Sequence, residues 1–340
     1  MSSLPQHSAS RQAKSHGSWK RSMLIYVVVL LGLLWTAYTV LNRSTDEKHG
    51  YGLNARPGFK DMIQILDLPS NLLPETGKNK HSGRLIVVGD VHGMKAALVD
   101  LLDKVDFDQK HDHLILAGDM ISKGPDSPGV VDLAMKLGAT GVRGNHEDRI
   151  ILAYQDMISE HAVMDGPNED EGNTQDALEE ESFSHGDYKD RALVKALGEK
   201  RIKWLKDCPV ILRVGKLGSM GEVAVVHAGL VPGVKLEKQD PLMVMNMRTI
   251  GKDGVPSDAR EGPGWIKVWN KYQKSLPKGQ RSTVIYGHDS NRGLQKEKYS
   301  LGIDTGCLKG GKLTAVVIES GRSDYSHKLV HVNCVDGRAT

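Results

Sequence analysis

An α/β layered fold is predicted by two features of the sequence. Apolar runs of strand length recur, as in RLIVVG (84–89), LILAG (114–118), TGVRG (140–144), VAVV (223–226) and TVIYG (283–287). They alternate with stretches of helical periodicity such as MKAALVDLLDKV and SPGVVDLAMKLG. A third feature gives the strands a purpose. Each run stops on a metal-ligating or amide residue: Asp90 and His92, Asp119, Asn145 and His146, His227, and His288. In α/β sheets, ligands collect beyond the carboxyl ends of the strands, where loops bring distant side chains together.

From the N-terminus, residues 1–22 carry Arg11, Lys14, Lys20 and Arg21 and no acid, and read as a cytosolic tail. Residues 23–41 (MLIYVVVLLGLLWTAYTVL) are uncharged and 19 long, about 28 Å as a helix and close to the roughly 30 Å of a bilayer core. Tyr26, Trp35 and Tyr38 lie near its ends, and the mixed set Arg43, Asp46, Glu47 and Lys48 follows. These features predict an uncleaved signal anchor, with the N-terminus in the cytosol and the body across the membrane. Residues 42–82 read as a linker with one short helical candidate, FKDMIQILDL, and Asn42 opens a glycosylation sequon. The body spans 83–320. Within it, 165–182 holds eight acids and few apolar residues, as a solvated insertion would. Residues 321–340 read as a tail.

Composition excludes rather than identifies. A net charge of +3 gives no argument for a nucleic-acid partner. Cys208, Cys307 and Cys334 make neither a disulfide framework nor a zinc knuckle; packed thiols are expected, with at most one bridge. The HDH at 111–113 reads as surface.

The strand-end residues mix oxygen donors with imidazoles, a set suited to Zn, Mn or Fe rather than Ca. Alternation in GDVHG places Asp90 and His92 on one side of an extended segment, where both can grip one ion. In GNHED, Asn145 and His146 point differently, so one can bind metal while the other faces substrate. Taken singly, GDVHG is also a plain Gly-Asp turn and HAG also a packed histidine. The ordered series GDVHG, GDMISKGP, RGNHED, HAGL and GH is much harder to produce by accident.

That series resembles the PPP-type calcineurin-like metallophosphoesterases, whose pattern is GDxHG, GDxxxRG, GNHE and two separate histidines. GDMISKGPDS, WLKDCPVIL, MRTI and GIDTGCLKGGKLTAVVI resemble the ApaH-like phosphatase branch, and an N-terminal anchor in that branch is similar to the fungal vacuolar zinc-dependent endopolyphosphatases. The resemblance implies an αββα sandwich, two mixed sheets flanked by helices, and a centre of two divalent ions, zinc first with manganese or cobalt as alternatives. Asp90 and His92 would hold the first ion, Asp119 would bridge, and Asn145, His227 and His288 would complete the second. A hydroxide activated by both ions would attack phosphorus, His146 would protonate the leaving oxygen, and Arg143, Lys123 and Arg248 would hold phosphate.

One departure bears on substrate. Ser122-Lys123 stands where protein phosphatases carry Asp-Arg, which removes the carboxylate that supports the acid histidine. A phosphate leaving group needs little acid help, so phosphoanhydrides are expected, inorganic polyphosphate before dinucleoside polyphosphates or mRNA caps. A protein phosphatase ranks third and a non-catalytic membrane scaffold last. The resemblance to the fungal vacuolar enzymes implies the vacuole membrane, where polyphosphate is stored, as the expected location.

Overall fold

The computed structural model describes residues 62–74, 83–159, 185–321 and 323–339, together with Tyr26, 29–33 and Trp35. The chain divides into Met1–Ala55 and Arg56–Thr340. In the first unit the described residues are helical. The expected anchor 23–41 otherwise lies outside the described residues, as do the tail 1–22, the Asn42 sequon and the acidic stretch 165–182. Among the described residues no helix is long and apolar enough to cross a membrane.

The second unit is built on two sheets. One contains β2 (Leu85–Val88), β3 (His113–Leu116), β4 (Thr140–Gly141), β12 (Lys312–Ser320) and β13 (Tyr325–Asn333), in the order β13-β12-β2-β3-β4. The other contains β1 (Ile65–Asp67), β5 (Ile211–Lys216), β6 (Glu222–Val226), β9 (Ser282–Tyr286), β10 (Gln295–Glu297) and β11 (Ser300–Gly302), in the order β1-β5-β6-β9-β11-β10. Both sheets are mixed: β2, β3 and β4 run parallel, as do β6, β9 and β11, while β12 is antiparallel to both β2 and β13. A third, two-stranded sheet pairs β7 (Thr249–Ile250) with β8 (Pro256–Ser257).

Strand alternation sets the layers. Leu85, Val87, Ile115, Val316 and Ile318 pack in one cluster with Leu212, Val214, Val223, Val225 and Ile285 of the second sheet. Their neighbours Ile86, Val88, Leu114, Leu116 and Val317 face outward. They meet α1 (Lys95–Lys104), α2 (Ser127–Leu137), α3 (Asn145–Ser159) and α4 (His185–Lys206), through residues such as Leu98, Leu101, Val130, Ile150 and Leu205. On the far side Val226, Val284 and Tyr286 pack on α5 (Pro241–Asn246) and α6 (Trp265–Ser275), through Val244, Met245, Trp265 and Trp269. Strands covered on both faces read as unbroken apolar runs, which is why LIVV shows no alternation. Helix ends follow local chemistry. Asp126 caps α2 by accepting the Gly129 N–H at 2.7 Å, and Gly138, at φ 66°, closes it.

Four expectations are corrected. In FKDMIQILDL the described part, 62–68, is not helical: β1 pairs parallel with β5, Ile65 opposite Ile211, and Leu68 is buried in the inter-sheet core. Edge pairing and burial override a weak helical pattern there. Residues after 320 are no tail, since β13 pairs with β12 along its whole length, Lys312 opposite Asn333 to Ser320 opposite Tyr325. Cys307 and Cys334 form a disulfide, leaving Cys208 as a buried free thiol. In HDH only His111 is exposed; Asp112 and His113 are buried, the first accepting from Arg84 Nε at 3.0 Å.

Candidate metal centre

The carboxyl ends of β2, β3 and β4 from one sheet meet those of β6 and β9 from the other, and Asp119 lies where they converge. Its two oxygens face different ways. Oδ2 is 3.5 Å from His92 Nε2 and 3.9 Å from His146 Nε2, whereas Oδ1 is 3.3 Å from His227 Nε2. Two groupings capable of holding an ion result, His92–Asp119–His146 and Asp119–His227–His288, with the donor atoms of each within 4.8 Å of one another. They share only Asp119.

The backbone is bent to achieve this. Of six non-glycine residues with positive φ among the described residues, five are at the site: His92, Asp119, Ser122, Lys123 and His288. Such strain persists only where surrounding structure over-determines it. Gly118 has φ 90°, and a Cβ there would sit 2.7 Å from His227 Nδ1; at Gly144 a Cβ would sit 2.5 Å from Asp119 Oδ1. Only glycine lets the loops close on the carboxylate.

The imidazoles are fixed as lone-pair donors. Nδ1 of His92 donates to the Ile121 carbonyl (3.1 Å), Nδ1 of His227 to Ala117 (3.0 Å), and Nε2 of His288 to Asn246 (3.0 Å). A carbonyl only accepts, so the opposite nitrogen of each ring presents its lone pair to the centre. His227 Nε2 then lies 3.2 Å from His288 Nδ1 and 3.0 Å from Asn145 Oδ1, three acceptors converging beside Asp119 Oδ1. Acceptors so close repel unless a cation lies among them. Although burial opposes it, the Asp119 charge raises His227 to about 10, a measure of how strongly that carboxylate draws positive charge to this spot. The residues therefore fit a divalent ion, with the mixed N and O set that Zn or Mn accepts.

Asp90 is placed in the same cavity, both oxygens accepting the His288 N–H at 3.0 and 3.2 Å, although it belongs to neither grouping. Burial and the neighbouring Asp304 hold its carboxyl well above the usual range. Lys123, Arg248, Asn145 and His146 line this cavity of about 440 Å³. Arg143 is not among its lining residues: it is buried, and its Nε lies 3.5 Å from Asp148, one turn into α3. His146 is buried and lowered to about 3, chiefly by desolvation, and its Nδ1 has no hydrogen-bond partner; neither has the buried Ser122 Oγ.

Two contributors escaped the sequence reading. Glu147, fully buried, accepts the N–H groups of Asp119 (2.8 Å), Met120 (2.8 Å), Ile121 (3.3 Å) and Gly144 (2.9 Å), and so braces the loop that carries Asp119. It sits inside GNHED, where its acidity is legible but its brace is not. Asp304, in GIDTG, is buried and lines the cavity; only its place after a strand signalled it.

The sequence pattern of the calcineurin-like phosphoesterases matches residues 83–317. A zinc-dependent endopolyphosphatase of Saccharomyces cerevisiae is 28% identical over 306 residues, covering 81% of this chain and 91% of the relative. A symmetrical bis(5'-nucleosyl)-tetraphosphatase of Nitrosospira multiformis is 26% identical, covering 75% and 98%. A crystal structure provisionally described as a diadenosine tetraphosphatase superposes with a TM-score of 0.59 at 28% identity, covering 81% of this chain and all of that one.

Proposed function

Because the chain belongs to the calcineurin-like phosphoesterase family and is a metal-dependent phosphoesterase, we propose that it hydrolyses phosphoanhydride bonds, with inorganic polyphosphate as its substrate. The observation that carries this reading is the lining of the cavity. Besides the candidate ligands it holds five cations, Lys123, Arg248, Arg260, Lys309 and Arg338, and among the described residues no Trp, Tyr or Phe. Polyphosphate is a chain of charge and asks for cations; a nucleotide base asks for a stacking ring.

Asp119, His92 and Asp90 would surround one ion, and Asp119, Asn145, His227 and His288 the other, which leaves His146 free to face the substrate. When bound, the ions supply positive charge against the phosphoryl oxygens and lower the pKa of the attacking water. Lys123 and Arg248 hold the remaining oxygens of the reacting phosphoryl group; the Arg248 Nε is buried and has no partner inside the protein. His146 presents an imidazole with depressed proton affinity and no supporting carboxylate on Nδ1. Near neutral pH few molecules therefore carry a proton there to donate, which a phosphate leaving group, stable as an anion, tolerates and a serine alkoxide does not. Zinc is the preferred ion on similarity to the yeast enzyme.

The resemblance to bis(5'-nucleosyl)-tetraphosphatases supports a second reading, symmetrical cleavage of dinucleoside tetraphosphates at the same centre. The two are separated by incubating the protein with long-chain polyphosphate, diadenosine tetraphosphate and a phosphoserine peptide under zinc, manganese or magnesium. Faster turnover of polyphosphate is expected; faster turnover of diadenosine tetraphosphate installs the second reading, and comparable turnover of the peptide overturns both. The anchor at 23–41 would set the body in the vacuole lumen, which protease protection of intact vacuoles tests.

A further inference from the structure

Arg338 reaches the cavity from the last described turn of the chain, far in sequence from the metal ligands. Its segment is fastened in three places. The Cys307–Cys334 disulfide joins it to the loop after Asp304, Cys334 N–H donates to Gly311 O at 2.9 Å, and Gly337 N–H donates to Leu308 O at 3.0 Å. Lys309 and Asp336 add a backbone bridge between the two segments. Gly337 also packs so closely that a Cβ there would collide with Met94 Sδ and press tightly on Leu308 Cδ1, at 3.3 Å. Residues 334–338 therefore form a strap bound to the 304–311 loop, and both segments contribute cavity walls: Cys307, Leu308 and Lys309 from the loop, Arg338 from the strap.

The cations of this wall are held in different ways, and Lys309 is the one held by neutral groups. The Lys309 ammonium is held by two neutral oxygens, Ser290 Oγ at 3.0 Å and Asn291 Oδ1 at 3.2 Å. Arg338 is held by Asp336, Nε to Oδ1 at 2.9 Å and a terminal nitrogen to Oδ2 at 2.6 Å. Across the opening, Arg260 and Arg292 share the single carboxylate of Asp289. These groups are not needed by a lone phosphoryl group at Asp119. The cavity of about 440 Å³ falls within the range of roughly 300–1,000 Å³ that takes ligands of several groups.

We infer that Lys309, Arg338 and Arg260 form a distal anionic subsite that holds the phosphates of the chain beyond the one being cleaved, and that the Cys307–Cys334 strap fixes its geometry. The inference rests on the phosphoanhydride reading for the identity of its ligand and deepens it by naming the residues that select long chains. Lys309 and Arg338 set the KM for chain substrates and leave the metal centre untouched.

The test uses the full chain and two readouts. Replacing both residues, Lys309→Gln with Arg338→Gln, is expected to raise KM for long-chain polyphosphate about tenfold, equivalent to ~1.4 kcal/mol of lost binding. Turnover of p-nitrophenyl phosphate, which carries one phosphoryl group, stays within twofold. The rise of polyphosphate KM with added salt becomes shallower, because fewer charge contacts are left to screen. Cys307→Ser with Cys334→Ser is expected to reproduce the loss with the charges still present. Equilibrium binding of polyphosphate to chelator-treated protein reads the subsite without chemistry and should weaken in the same variants. Unchanged KM and binding in the double variant, or equal losses on both substrates, overturns the subsite while leaving the hydrolytic reading in place. Polyphosphate that binds at these residues and is never cleaved overturns the hydrolytic reading and leaves the subsite.

Discussion

Glu147 shows how one side chain can govern a centre it does not enter. Its two oxygens collect four backbone N–H groups, three of them from the 119–121 loop. Burial is the main force raising its carboxyl, to about 7, with the Asp119 charge adding to it. Glu147→Gln keeps the shape and brings an amide whose N–H₂ must face N–H groups. The expected result is a destabilisation of roughly 1–3 kcal/mol and metal affinity reduced by about 10–100-fold, measured by competition with a chromogenic chelator; undiminished affinity would show that the loop holds its shape unaided. Cys208 makes the opposite case. Burial pushes its thiol far up, and no metal grouping includes it. It should resist iodoacetamide at pH 8 in the folded protein and react only on unfolding, which mass spectrometry reads directly; rapid native labelling would contradict its burial. At this scale the ligand types were legible because chemistry restricts them to few residues. The side-chain direction of Arg143 was not, since proximity in sequence to Asn145 does not say which way a long side chain turns.

Elements were legible where both faces of a strand are buried and illegible where pairing alone makes the strand. β2, β3, β6 and β9 announce themselves as apolar runs, and the polar residues beyond them are the candidate ligands. β1 is three residues at a sheet edge with Leu66 exposed, and nothing local distinguishes it from a helical turn. β4 has two residues, yet it aligns Asn145 and His146 with Asp119. β3 also carries an acid-sensitive point in His113, whose Nε2 lies 2.9 Å from Thr140 Oγ1 across the β3–β4 pair. Burial lowers its proton affinity below that of an exposed histidine, near 6.5. As pH falls through that value the unfolded chain takes up a proton that the folded chain refuses, so stability present above it is lost below. His113→Gln should therefore lose a few °C less in Tm between pH 7.5 and pH 5.5 than the unaltered protein. Parallel Tm curves would show that this histidine does not contribute to acid lability.

Across the whole unit, the site exists only because two sheets end together. One supplies Asp90, His92, Asp119, Asn145 and His146, the other His227 and His288, and the inter-sheet core fixes their separation. Their order in sequence made the convergence legible through the resemblance, but the strap and the brace required coordinates, because disulfide partners and backbone acceptors leave no periodic mark. The convergence has an energetic consequence. Asp90, Asp119, Glu147 and Asp304 are four buried acids around one cavity, and burial raises the carboxyls of Asp90, Glu147 and Asp304. Bound cations would relieve that burden in the folded state alone, so metal binding should appear as stability. Each site filled to 100 times its Kd contributes about 2.7 kcal/mol, or ~5 kcal/mol for two. At about 2–4 °C per kcal/mol for a domain of this size, chelation should lower Tm by roughly 10–20 °C, and zinc or manganese should restore it at two equivalents. Asp119→Asn removes the one ligand common to both groupings, so this variant should show little response to either treatment, whereas loss of a ligand private to one grouping should leave half. A restored Tm at one equivalent, or a full metal response in Asp119→Asn, would mean that the two groupings do not hold a pair of ions through a shared carboxylate.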